Sequence, residues 1–379
     1  MKVIVSTHGR FHAFELARGL LKHDALQQLI TPYPGWAIRK LVGETIPTNS
    51  ATWIEVTKRI SDKLKLGNKP DAFIGRKFAN FASRTKMTGA NIFVGWSNAS
   101  LEAIPVARDA GLKIVIERGS SHIEHQTEVL RQGYQTYGLR AALPSAEVIE
   151  REVKEYEFAD AITVPSQFAA KTFLDRGFEA DKIIVNNYGV DLSRFRQADQ
   201  TKKNDIPKIL FVGLVGIRKG IPNLLKAFEP LSTQAELHLV GPIEPGFDNF
   251  LRDSPLENVV VNGAISQNEL PALYQSADIF CLPSLEEGLP LVSLQALACG
   301  CPVVTTEAAA AADIIKDGEN GIAVEDNSVA ALNEALRTTI NDSELRISMG
   351  AKAVASIKDG FSWEHYVDRA MMAYKNLLQ

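Results

Sequence analysis

The chain has 379 residues, of which 45% are hydrophobic and 23% charged, and its formal net charge is −4. That length exceeds what one hydrophobic core commonly serves, so two domains are expected, and the composition excludes a chain dominated by disorder. No apolar run reaches the roughly 18 residues of a membrane span, the opening MKVIVSTHGR lacks the apolar stretch of a signal peptide, and three cysteines make no even disulfide framework. A cytoplasmic protein is therefore expected, with Cys299 and Cys301 as packing residues beside a helix-ending Gly300.

In chain order, short β-type runs alternate with helical patterns, the signature of parallel α/β architecture. Strands are expected at 2–7, 92–96, 113–118, 161–166 and 182–187, with helices at Ala13–Leu21, Ala99–Ala110 and Ser166–Arg176 between them. A polar, turn-rich stretch, GVDLSRFRQADQTKKND, then acts as a linker. Beyond it strands are expected at 208–213, 236–241, 259–263, 278–284, 302–306 and 321–325, separated by helices including Pro222–Phe228, Asn268–Tyr274 and Val329–Thr339. The last segment, SWEHYVDRAMMAYKNLL, has an apolar face at helical spacing that must pack somewhere, back across the linker. The expected division is an N-terminal unit of residues 1–198 joined by a returning helix at 362–379, and a C-terminal unit of 199–361. Two Rossmann-like units facing across a cleft would bind ligand beyond the carboxyl ends of their strands.

Charge is divided unevenly. Residues 1–198 hold 27 Lys/Arg against 21 Asp/Glu, a net +6, whereas residues 199–379 hold 14 against 24, a net −10. The basic excess concentrates in residues 58–86, where Phe73, Phe78 and Phe81 are interleaved with Arg76, Lys77, Arg84 and Lys86. Such a segment suits an anionic membrane surface or anionic partner; it equally suits a core helix with a solvated basic face. Nothing in the chain implies a nucleic-acid partner.

The stretch SLEEGLPLVSLQALACGCPVV, residues 284–304, carries the most chemistry. Pro290 suits the first turn of a helix and Gly300 the position just beyond its end. Backbone N–H groups around Gly288, Leu289, Leu291 and Val292 would then lie unpaired at a positive dipole end, a site for phosphate. Glu287 would stand at the rim, where a carboxylate accepts hydrogen bonds from sugar hydroxyls, and Gln295 two turns into the helix could reach a ribose. Read from these residues alone, Glu286 and Glu287 are equally ordinary helix-start acids.

PSLEEGLPLVSLQALACGCPVV resembles the donor-binding signature of the retaining family-4 glycosyltransferases, which have the two-domain GT-B fold. Pro283, Ser284, Glu287, Gly288, Pro290, Ala296, Ala298, Gly300, Pro302, Val303 and Val304 match it. Leu289 stands where the family has an aromatic residue, and Gln295 where it has a second Glu. The resemblance implies that Glu287 contacts the donor sugar, that residue 295 contacts the ribose, and that Glu286 is a solvated neighbour. Residues 164–195 resemble the segment leading into the family's linker. LFVGLVGIRKGIPNLLKAF (210–228) resembles its phosphate-binding loop, with Lys219 matching, Leu214 in place of the usual Arg, and Arg218 beside the Lys. After the strand at 113–118, His122 is the candidate for the family's sugar-contacting His, with His125 second. Gly9, flanked by His8 and Arg10, stands where the first loop often has paired glycines, and Ala308–Ala312 precede Asp313 where glycines are usual. Base contacts are expected from backbone groups at Gly263–Ile265.

The implied fold is therefore α/β GT-B, and the implied enzyme a retaining hexosyltransferase using a UDP-sugar or GDP-sugar. It would make an α-linkage to a glycan or lipid-linked acceptor, peripherally on the inner membrane face. Glu287 and His122 would position the sugar, while Arg218 and Lys219 stabilise the leaving diphosphate. No Asp-x-Asp occurs, so no metal or other cofactor is expected. The rival readings are a catalytically silent nucleotide-sugar sensor, motivated by Gln295 and Leu214, and a GT-B-like UDP-sugar epimerase. A dehydrogenase is disfavoured because no Gly-x-Gly-x-x-Gly follows the first strand.

Overall fold

The computed structural model describes residues 1–63, 71–141, 143–198, 204–253 and 257–379. Its strands are those of two all-parallel sheets. The first holds β1 (Val3–Ser6), β2 (Leu26–Thr31), β3 (Thr48–Ser50), β4 (Ile92–Trp96), β5 (Lys113–Glu117), β6 (Ala161–Val164) and β7 (Ile183–Val185), in the order β3-β2-β1-β4-β5-β6-β7. The second holds β8 (Lys208–Val212), β9 (Glu236–Val240), β10 (Val259–Gly263), β11 (Ile279–Leu282), β12 (Val303–Thr306) and β13 (Gly321–Val324), in the order β10-β9-β8-β11-β12-β13. Each sheet is doubly wound, and in each the order reverses beside its first strand. Central strands such as β1, β4, β6, β11 and β12 are buried throughout, which is why they read as unbroken apolar runs.

The expected strands all occur, trimmed by one to three residues except for 92–96 and 259–263, which match in full. β2 and β3 were not expected. LQQLIT places two glutamines mid-strand, and their side chains donate to Lys86 O (2.8 Å) and Thr88 O (3.2 Å) instead of facing a sheet core. β3 is the edge strand, where the polar TNS is tolerated. The helix expected over Ala99–Ala110 shortens to Ile104–Asp109. The buried Glu155 carboxylate accepts the backbone N–H groups of Asn98 (2.6 Å), Ser100 (2.7 Å) and Leu101 (2.9 Å), holding the preceding residues in turns. Helices Ile123–Thr136, Ala146–Phe158 and Ser343–Lys358 were also unforeseen.

The C-terminal helix Trp363–Leu377 is capped by Ser362, whose hydroxyl accepts from His365 N, and it returns to the first unit as expected. Val367 packs so closely on Gly19 of helix Ala13–Lys22 that a Cβ at Gly19 would overlap it. Arg369 donates to Asn187 O (2.6 Å), Gly360 O (2.7 Å) and Asn186 Oδ1 (3.0 Å), tying the helix to the segment after β7. Where the chain leaves the first unit, Val190 N donates to Phe361 O at 2.8 Å, so the outgoing and returning segments run side by side. Part of the expected linker, residues 199–203, lies outside the described residues. Cys281, Cys299 and Cys301 are buried and free, and Gly300 closes its helix at φ +77°. Among the described residues no helix is long and apolar enough to cross a membrane.

Candidate active site

Loops after β1, β4 and β5 face loops after β8 and β11 across a cleft of about 590 Å³. Both order-reversal points of the two sheets thus open onto one space, the position at which doubly wound sheets take ligands.

The wall from the second sheet starts where β11 ends at Leu282. Residues 283–290 lead into helix Leu291–Ala298, whose N-cap is Pro290, so no side chain caps its first turn. Leu289, Pro290, Leu291 and Val292 line the cleft. At Gly288 the backbones of the two units approach closely. A Cβ there would run into the Gly119 carbonyl and Pro165, and Ser166 Oγ donates to Gly288 O at 2.6 Å. The loop after β8 brings Arg218 and Lys219 to the same wall. Gly220, at φ +69°, allows this because any Cβ would strike the Pro283 carbonyl. Lys219 pairs with Glu287, and Arg218 with Glu286 at 2.8 Å. Arg218, Lys219, Glu287, Leu289, Leu291 and Val292 are thus brought together at the cleft, with Gly288 beside them.

Glu286 is not solvated, as the sequence led us to expect, but wholly buried. Its carboxylate accepts Ser120 Oγ and Ser121 Oγ (2.6 Å each), Ser121 N and Gln126 Nε2 (3.0 Å each), all from the first unit, besides Arg218. Burial works against its charge, but Arg218 and the serine hydroxyls outweigh it and hold the carboxyl well below the usual range. Along this loop, which bends at Leu285, Glu286 and Gly288, Glu287 reaches the cleft while Glu286 seals the units together.

His122 is likewise misplaced by the sequence reading. Helix Ile123–Thr136 begins directly after it, so His122 is an N-cap whose Nδ1 accepts Glu124 N at 3.3 Å. Its ring turns inward among Phe173 (4.9 Å), Tyr156 (5.2 Å) and Phe178 (5.8 Å) and does not line the cleft. Burial, with Arg176 and Arg118 nearby, lowers its pKa to about 3. A base depressed in the folded state costs stability as pH falls, because below its ordinary 6.5 the unfolded chain binds the proton and the folded one does not. We expect stability to decline from about pH 6.5 toward 3, at about 1.4 kcal/mol per pH unit from this group. His122→Asn, which keeps a capping acceptor, should flatten that slope in urea titrations; an unchanged slope would contradict this.

Four further expected residues, Gln295, Gly263, Ile265 and Gly9, are not among those lining the cleft. Gln295 is half-buried, and its Oε1 accepts Tyr274 OH at 3.1 Å. Gly263 ends β10 at φ +68°, its carbonyl accepting Gly241 N at 2.8 Å, and Ile265 follows half-buried. Gly9 sits at the opposite rim, its N–H donating to Thr7 Oγ1 (3.3 Å) and packed under Phe11. Asp313 accepts Asn187 Nδ2 (2.9 Å) and Gln167 N (3.0 Å) from the first unit.

Residues of the first-sheet wall were missed. His8, His12, Trp96, Asn98 and Arg118 line the cleft. His12 Nε2 lies 3.2 Å from Glu117 Oε2. Arg118 donates to Ser121 O (2.8 Å) and Gln126 Oε1 (2.9 Å) and pairs with Glu152 at 2.9 Å. The available signal was position alone: His8, Trp96 and Arg118 end or directly follow an expected strand, while Asn98 and His12 stand two and five residues beyond one.

The basic segment 58–86 does not present its three aromatics together. Phe78 is buried in the core, Phe81 is half-buried, and only Phe73 is exposed, while residues 64–70 lie outside the described residues. Larger exposed aromatics occur just before it: Trp36 at 75% and Trp53 at 48%, on helices that follow the neighbouring strands β2 and β3.

Residues 193–355 match the family described as Glycosyl transferases group 1. The chain is 29% identical over 168 residues to an uncharacterized glycosyltransferase, MJ1178, of Methanocaldococcus jannaschii, covering 44% of this chain and 48% of that one. It spans about half the length of the curated relatives it matches. A glycosyltransferase structure from Rickettsia africae superposes with TM-score 0.73 at 17% identity, over 100% of this chain and 98% of that one. Anabaena Alr3699/HepE in complex with UDP superposes with TM-score 0.70 at 17% identity, over 99% and 100%. These likenesses and the paired doubly wound sheets give the fold as GT-B.

Proposed function

We propose that this chain, whose residues 193–355 form a Glycosyl transferases group 1 domain, is a retaining glycosyltransferase. It moves a hexose-type sugar from a UDP-sugar or GDP-sugar to a glycan or lipid-linked acceptor and makes an α-linkage. The observation that carries this is the convergence of Arg218, Lys219 and the uncapped helix start at Leu291 on one wall of the cleft. When the bond from sugar C1 to the diphosphate breaks, its electron pair leaves on the diphosphate. Two cations and open backbone N–H groups are what that growing charge requires. Without an anion Lys219 is held by Glu287, so a diphosphate arriving there would compete for Lys219 and free the carboxylate for sugar hydroxyls. The cation set serves in place of a metal ion, so activity should survive chelation.

Partnership with an anionic membrane belongs to the same reading. Exposed Trp36, Leu41, Trp53, Val56 and Ile60 stand beside exposed Arg39, Lys40 and Arg59, the combination that suits a lipid surface. The deciding experiment is a thermal-shift panel of UDP- and GDP-sugars, followed by nucleotide release and the anomeric configuration of the product by NMR. Stabilisation by one donor with release of its nucleotide, with EDTA present, is expected. Tight donor binding with no release toward any acceptor would favour the silent sensor.

A further inference from the structure

Among the described residues, Phe11 is the exposed aromatic that lines the cleft. It stands in the loop between β1 and helix Ala13–Lys22, on the first-unit wall, across from Arg218, Lys219 and the helix start at Leu291. It is 57% exposed, although a phenylalanine is ordinarily taken into a core.

Two features hold the ring out over the cleft. The backbone at Phe11 has φ +28°, in the left-handed range that a residue with a Cβ enters at a cost in stability. Beneath the ring lies Gly9, where any Cβ would overlap the ring carbons of Phe11. The loop thus gives up a side chain at one position and accepts backbone strain at another, and the ring gains little burial in return. The neighbouring imidazole adds no charge: His8 lies 5.6 Å from Phe11, ring to ring, and burial together with Lys58 lowers its pKa to about 3. Asp71 and Asn98 line the same wall, a carboxylate and an amide of the kind that pair with sugar hydroxyls.

That chemistry points to the occupant. A pyranose presents C–H groups on its face, which suit the negative face of an aromatic ring, and hydroxyls around its edge. The diphosphate belongs to the other wall, where Arg218 and Lys219 stand. We propose that Phe11 is the platform on which the acceptor's pyranose ring lies, a specificity-determining residue that selects a sugar ring over an open-chain alcohol; this rests on the glycosyltransferase reading. Phe11 takes no part in bond making. The acceptor oxygen bonds to donor sugar C1 on the face from which the diphosphate leaves. The C1–diphosphate bond breaks with its electrons going to the diphosphate, and the hydroxyl proton passes to that leaving phosphate oxygen. The platform sets how the acceptor ring lies while this happens.

Ligand-observed NMR tests this with methyl α-D-glucopyranoside, methyl α-D-mannopyranoside and glycerol as probes, each with UDP or GDP present, on wild type, Phe11→Gly and Phe11→Tyr. A pyranoside should bind wild type more tightly than glycerol does. Phe11→Gly should weaken that binding about 3–10-fold, the scale of one aromatic contact, and Phe11→Tyr should keep it. Because glycine relieves the strained φ, Phe11→Gly should melt no lower than wild type, which separates lost recognition from lost folding. Donor-induced thermal shifts should persist in both variants. Equal pyranoside binding by wild type and Phe11→Gly, or no pyranoside binding by wild type, overturns the proposal. So does a Phe11→Gly protein that loses only its pelleting with phosphatidylglycerol vesicles, which makes the ring a lipid contact. These failures leave the glycosyltransferase reading standing when wild type releases nucleotide from a UDP- or GDP-sugar. Absence of release from every such donor removes that reading instead, and the platform's role with it.

Discussion

Glu287→Ala is expected to lower transfer by about 10²–10³-fold, the cost of removing one group that recognises the reacting centre. Nucleotide diphosphate binding should change only a few-fold. The two effects separate because Glu287 stands beside the helix start rather than within it, and it forms its ion pair with Lys219. On the proposed reading, truncation would remove a contact to the sugar but release Lys219 from its pair with Glu287 toward the diphosphate. Initial rates with the donor from the thermal-shift panel, and thermal shifts with UDP or GDP alone, check the two halves. Unchanged turnover would remove Glu287 from the site.

The second large effect concerns its neighbour. Glu286→Ala is expected to destabilise the contact between the two units by about 3–5 kcal/mol, the cost of leaving charge and donors unmatched in a buried network. The variant strands Arg218, the hydroxyls of Ser120 and Ser121, and Gln126. Arg218 retains some exposure, its side chain being 34% accessible, so the loss arises mainly from the buried donors of Ser120, Ser121 and Gln126. The pH dependence has a definite sign. Because the folded-state pKa is depressed, the stabilisation is complete above the ordinary value of 4.5 and fades as pH falls below it. Urea midpoints for wild type and Glu286→Ala should therefore converge in strong acid. Small-angle scattering should show the variant more open near neutrality. A compact variant of wild-type stability would contradict this.

The two adjacent acids illustrate what could be read from the sequence and what could not. β4 and β10 could be placed in full because both are short runs rich in β-branched or aromatic residues, too short for a helix. The cations Arg218 and Lys219, Glu287 and the helix opening at Leu291 were also legible, since each belongs to a short local pattern. Glu286 was not, because its first-unit partners lie 160 or more residues earlier and nothing local says which acid turns inward. His122 was misjudged for a related reason: helix Ile123–Thr136 has a polar first turn, so no helix was expected there and His122 was read as a loop residue at the cleft. His12 and Glu117 are 105 residues apart and meet only through the β1-β4-β5 order of the sheet. β2 escaped because mid-strand glutamines mimic a loop when their side chains bond to a neighbouring segment.

The paired crossings at Val190 and Phe361 carry a mechanical implication. A single tether would let the units swing in any direction and twist. Two tethers bonded side by side behave like the leaves of a door hinge, leaving one easy axis and resisting torsion about the others. Opening would then be a rotation in which travel grows with distance from that axis, and the lever arm is longest at the cleft mouth. The register in which Gly288 meets Gly119 on each return would be set by the hinge itself, before any ligand is grasped.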